Sequence, residues 1–153
     1  MNRLHPRVQL VWMLRSAIGA TVVGVAAFFV NRATLELPIF VPVGLFAVLL
    51  VVGIGLAALR YRLWGYEVRG DSLYLERGVL TRVRTVVPFV RIQHVDSARG
   101  PVERVLGLAS TVVYTAGSRG ADVRVPGLTA DGSDELQDRL KGLAIRAEGD
   151  DAV

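Results

Sequence analysis

Cysteine is absent from the 153 residues, so no disulfide, thiolate nucleophile or thiolate metal site can form. Lysine is almost absent: Lys141 stands alone among 18 basic residues, and the rest are arginine. Histidine is scarce, with only His5 and His94, which do not pair by sequence. No metal-spaced cluster occurs, and no nucleophile sits in a motif with its base. The segment from Gly117 to Gly120 resembles a phosphate loop only in composition. It lacks the Lys-Ser/Thr ending and the following helix, so it reads as a hairpin turn. No catalytic residue, metal site or cofactor is assigned.

Charge is also missing where apolar residues are concentrated. The chain is 52% hydrophobic with mean hydropathy +0.42, and nearly all of the excess lies before residue 60. One apolar stretch runs from about Val8 to Val30, interrupted by Arg15; a second, 39–59, holds no charge. The 21 residues of the second span about 31 Å as a helix, close to the hydrocarbon thickness of a bilayer. Pro42 falls in its first turn, where a missing N–H costs little. No A-x-A cleavage site follows the first stretch, so a cleaved signal peptide is disfavoured. Residues 1–59 are therefore expected to form a two-helix transmembrane hairpin with an eight-residue outer connection. Gly24 and Gly44 are expected at similar depths, where they permit close approach. Arg15 reads as a snorkelling side chain, with Trp12 as an interfacial anchor. An intramembrane functional charge is one alternative, and a short interfacial helix over residues 1–14 is another.

The sequence pI of about 10.1 suggests a nucleic-acid partner at first sight. The distribution argues otherwise. Arg3, Arg7, Arg15 and Arg32 face only Glu36 before residue 60, whereas the remainder balances 14 basic against 13 acidic residues. The excess sits beside the apolar stretches, with Arg60 and Arg62 on the far flank. Positive charge on both outer flanks puts both termini in the cytoplasm of a multi-pass cell-membrane protein. A near-neutral domain disfavours nucleic acid.

After Arg60 the period changes to two. Tyr66 and Val68 alternate with polar residues, Gly70–Asp71 is a turn signal, and Leu73 and Leu75 resume the alternation. Val83, Thr85 and Val87 form a further strand ending at Pro88, and 92–98 another. Pro101 fits a first helical position in the break at 100–107. Residues 111–115 are β-prone, and the Val123/Val125 strand is expected to stop at Pro126. A closing helix is expected with Ser133 or Asp134 as N-cap and Leu136, Leu140 and Leu143 as its apolar face. Residues 60–146 thus read as one cytoplasmic domain that folds without the helices, and 147–153 as a disordered tail.

Trp64 to Tyr66, Leu73-x-Leu75-x-x-Gly78-x-Leu80, Val87–Pro88, Arg91–Ile92–Gln93–His94–Val95, Arg104-x-x-Gly107–Leu108 and Val113-x-Thr115–Ala116–Gly117 occur in order. This set resembles the bacterial pleckstrin-homology-like family of YdbS/YdbT-type membrane proteins, whose two leading helices also match. The resemblance implies a PH-like small barrel of about seven antiparallel strands capped by a C-terminal helix. It implies no catalytic residues.

Arg77, Arg82, Arg84 and Arg91 are the candidate binding residues, for anionic lipid or an acidic partner. Arg82 and Arg84 share one strand face, and arginine's planar fork suits phosphate. A solvated face balanced by Glu76 is the plainer reading of the same residues. His94 and Asp96, at i and i+2, share a strand face as an acid/base pair would. The expected function is a non-catalytic, membrane-anchored module contacting membrane lipids and another membrane or cytoplasmic protein, or a second copy of itself. The alternative is a membrane-bound enzyme or enzyme subunit, favoured if a pocket gathers His94, Asp96 and several arginines.

Overall fold

The computed structural model describes residues 1–117 and 122–150; the segment expected as a turn at 117–120 lies mostly outside them. The chain forms two compact units, Gln9–Arg62 and Met1–Val8 with Leu63–Val153. The first eight residues thus belong with the β domain, not with the helices as the sequence suggested.

Gln9–Arg62 holds most of α1 (Val8–Val30) and α2 (Phe40–Leu63). Both helices are long and apolar enough to cross a membrane. Only 11% of each apolar window is buried, whereas a core helix of a soluble protein would be mostly covered. The helices run antiparallel: Trp12 meets Arg60, Ser16 meets Gly53, and Gly24 meets Phe46. Phe46 fills the notch at Gly24, coming within 3.0 Å of where a Cβ would stand. Gly44, expected to share that contact, has nothing within 4 Å. The Arg60 guanidinium lies 4.4 Å over the Trp12 ring, a cation–π contact. Arg15 is exposed and three residues further along, about 4.5 Å deeper, which a snorkelling side chain can span. Residues 1–7 form no interfacial helix, since α1 begins at Val8. A π-helical turn, Asn31–Leu35, ends the first helix. The Asn31 side chain then donates to the Leu37 carbonyl and accepts from its amide, both at 2.9 Å. Those two bonds satisfy backbone groups that the bend would otherwise strand.

The β domain contains β1 (Gly65–Val68), β2 (Ser72–Arg77) and β3 (Val83–Pro88) in one antiparallel sheet. A second holds β4 (Ile92–Ala98), β5 (Leu108–Thr115) and β6 (Val123–Thr129). Among the described residues there are two three-stranded sheets, not a closed barrel of about seven strands. A 3-10 turn, Phe89–Arg91, breaks the ladder between them. Its Phe89 is buried and donates its amide to the Asp71 carbonyl, so the chain is pinned where it changes sheets. Leu73, Leu75, Val113 and Val125 are almost fully buried. Each stabilises the fold by about 1.5–3 kcal/mol.

The second sheet continues past Pro126. Thr111 pairs with Val125 and Ala109 with Leu128, so Pro126 and Gly127 together oppose Ser110 in a bulge on an edge strand. There the missing proline N–H disrupts no ladder. α3 (Pro101–Val105) starts with Pro101 as expected. The buried Glu103 carboxylate accepts from the Gly100 amide at 2.8 Å and the Ser110 hydroxyl at 3.0 Å. α4 (Ala130–Asp150) packs on the second sheet. Its N-cap is Thr129, whose hydroxyl accepts from the Gly132 amide at 3.0 Å. Ser133, expected there, is instead buried one turn in, 2.9 Å from the hydroxyls of both Ser97 and Thr111. The helix runs four residues beyond Arg146.

Met1–Val8 straps the two sheets together. Asn2 and Tyr66 exchange backbone hydrogen bonds of 2.7 and 3.1 Å on β1, an edge of the first sheet. The His5 amide donates to Gly127 on β6, an edge of the second, at 2.7 Å. Leu4 and Val8 are each only 2% exposed. Gly127 sits at φ +64°, and a Cβ there would stand 2.7 Å from the Val8 side chain, so glycine is required twice over.

Candidate interaction site

The register of the first sheet decides where the candidate arginines lie. Gly65 pairs with Glu76, and Glu76 pairs in turn with Arg84. β1 begins two residues after α2 ends, so this end of the sheet is where the chain returns from the helices. Arg77, the turn at 78–81 and Arg82 extend the hairpin beyond that level. Gly78 makes the turn possible: its φ is +112°, and a Cβ would collide with the Thr81 carbonyl.

Arg82 and Arg84 are 66% and 63% exposed and reach the same oxygen of Glu76, at 3.7 and 3.6 Å. The shared face expected from the sequence is therefore present, and so is the balancing carboxylate. Exposed pairs of this kind add little stability, about 0–1 kcal/mol. Arg77 follows Glu76 on β2, so the hairpin end holds three arginines against this one carboxylate and remains positive. At its tip stands Leu80, 95% exposed. In the sequence Leu80 belongs to the family pattern, and the alternation around it gives no sign that its side chain faces solvent.

Arg91 is not brought to this cluster. Pro88 pairs with Ser72 at the opposite end of the hairpin, roughly 13 Å along β3 from Arg84, and Arg91 lies beyond it on the 3-10 turn. There it lines a groove of about 630 Å³ with Val90, His94, Lys141 and Ile145. His94 stacks on Tyr114 across the strands, with ring centroids 4.1 Å apart, while Asp96 is not among the groove's lining residues. Among the described residues, this groove brings His94 together with Arg91 and Lys141 but not with Asp96. Among the described residues no group of three or more His, Asp or Glu side chains is arranged to hold a metal ion. At Tyr66 burial pushes the phenol upward, reinforced by Glu135 and opposed by Arg139. That tyrosine is held between the strap and α4 and serves packing.

Known proteins match this layout. A family model described as bacterial PH domain matches residues 18–144, from within α1 to within α4. The chain is also 34% identical over 92 residues to UPF0699 transmembrane protein YdbS of Bacillus subtilis (strain 168). That alignment covers 60% of this chain and 55% of the relative, so the chain spans about half the length of the protein it matches. No solved structure matches. Helices and β domain fall within one family match, and the ordered motifs of the sequence are met by the fold: the chain belongs to the bacterial PH domain family.

Proposed function

We propose that the chain is a non-catalytic, membrane-anchored interaction module, multi-pass in the cell membrane with both termini in the cytoplasm. Its basic β2–β3 hairpin, Arg77, Arg82 and Arg84, contacts anionic lipid headgroups. The observation that carries this reading is the pairing of Gly65 with Glu76, which sets the arginines level with the chain's return from α2. A hairpin at that level meets phosphates without a long reach, and each arginine near an anionic surface contributes about 1 kcal/mol. A tethered domain already has a high effective concentration at the bilayer, so weak contacts suffice to orient it.

The topology rests on two independent supports. Arginines flank both outer ends of the apolar pair. The backbone pairing of Asn2 with Tyr66 also supports a chain that leaves and re-enters on one side.

The test is amide exchange of residues 78–84 in the full chain, in nanodiscs of neutral or anionic lipid. Protection is expected with anionic lipid at low salt, and loss of it in Arg82→Glu/Arg84→Glu. Equal exchange in both lipids would reject the lipid reading. If the double variant then lost a co-purifying protein, an acidic partner would take the lipid's place.

A further inference from the structure

We propose that the end of the β domain carrying the β2–β3 and α3–β5 turns is a membrane seat, in which Leu80 and Val105 enter the interfacial layer of the bilayer. This rests on the reading of α1 and α2 as spans and deepens the electrostatic contact proposed for the hairpin. Leu80 is 95% exposed and Val105 86%, the two most exposed large apolar side chains among the described residues. Both exceed every residue of the two apolar helices, of which Val51 at 70% is the highest.

Two unrelated features bring these side chains to one end of the domain. Strand pairing carries Leu80 there, since its turn extends beyond the level of Gly65. A hydrogen bond carries Val105 there: Arg7, the residue just ahead of α1, donates from Nη1 to the Leu106 carbonyl at 3.3 Å. The turn after α3 is therefore one arginine side chain from the point where the chain enters its first apolar helix. The headgroup layer is roughly 5–7 Å deep on each side of the hydrocarbon, a depth comparable to such a turn. Val102, three residues before Val105 and 38% exposed, broadens the apolar surface.

The charge around each apolar tip has the sign that suits a phosphate layer. Arg77, Arg82 and Arg84 lie within four residues of Leu80, Arg104 precedes Val105, and Arg7 reaches the carbonyl of Leu106. An apolar tip with arginines close along the chain can put its side chain below the phosphates and the guanidinium groups among them. A protein partner would need matching acidic and apolar features held at the bilayer surface. The lipid interface supplies both there without further components.

The experiment uses the absence of native cysteine. Leu80→Cys, Val105→Cys, Val90→Cys and Val51→Cys are each labelled with an environment-sensitive fluorophore in the full chain, reconstituted into vesicles containing phosphatidylglycerol. Labels at 80 and 105 should show several-fold weaker quenching by aqueous iodide than the label at 90. They should also be quenched by lipids spin-labelled near the headgroup. Labels at 80 and 105 as accessible as at 90 would overturn the seat, and protection of only one would overturn its two-point form. A label at 51 quenched by iodide would remove the span on which the seat depends. If label 80 stays in water while Arg82→Glu/Arg84→Glu still abolishes lipid-dependent amide protection, the seat fails and the electrostatic reading stands.

Discussion

The two ends of the β domain are built from similar residues and differ in what those residues face. At the end where the chain meets its helices, Arg82 and Arg84 share one carboxylate, Arg77 adds a third positive charge, and Leu80 stands clear of the protein. At the other end Arg91 lines a groove with His94, Lys141 and Ile145. In the sequence all four arginines fall within fifteen residues and look equivalent. A six-residue strand separates them, because a strand advances about 3.3 Å per residue and a hairpin returns the chain to its starting level. Position along a strand, more than proximity in sequence, decides which charges act together.

The sharpest way to break this arrangement is to remove the strap. A domain in which a short Gly/Ser linker replaces Gln9–Arg62 should fold with residues 1–8 and be far less stable without them. Leu4 and Val8 leave the core with the strap, and Leu4→Ala alone should cost about 2–5 kcal/mol in urea unfolding. Equal midpoints with and without residues 1–8 would make the strap incidental. Gly127→Ala should follow, at roughly 1–3 kcal/mol, because its backbone is left-handed and Val8 occupies the space.

Smaller effects separate the two ends. Arg82→Glu/Arg84→Glu should weaken the anionic-lipid contact by about 1 kcal/mol per arginine, and the wild-type contact should fade as salt rises. Arg91→Glu should leave lipid-dependent protection of residues 78–84 unchanged and alter stability by no more than about 0.5 kcal/mol. An equal loss from Arg91→Glu would mean that net charge, not position, governs the contact.

Much of this was legible in the sequence because the signals are local. The two helices follow from long apolar runs, of which only the first holds a charge, the first two hairpins from alternation around Gly70 and Gly78, and the start of α3 from Pro101. The misses depend on distant partners. The strap has no period of its own; it is held by Tyr66 and Gly127, each more than sixty residues away. Pro126 argued for a strand end, yet an edge bulge opposite Ser110 absorbs it. Ser133 has the chemistry of an N-cap, but Ser97 and Thr111 claim its hydroxyl from the adjacent sheet. For the candidate site, the shared face of Arg82 and Arg84 was readable from a period of two. The separation of Arg91 and the exposure of Leu80 required the register.

Strap, hairpin contact and membrane seat all require the chain to leave and re-enter the β domain on one side of the membrane. Single cysteines at Arg3 and Asp138, probed with a membrane-impermeant maleimide in sealed vesicles of both orientations, test this directly. Both should react in inside-out vesicles and be protected in right-side-out ones. Reaction of the two sites from opposite sides would contradict the strap, and reaction of both only from the outer face would contradict the cytoplasmic orientation.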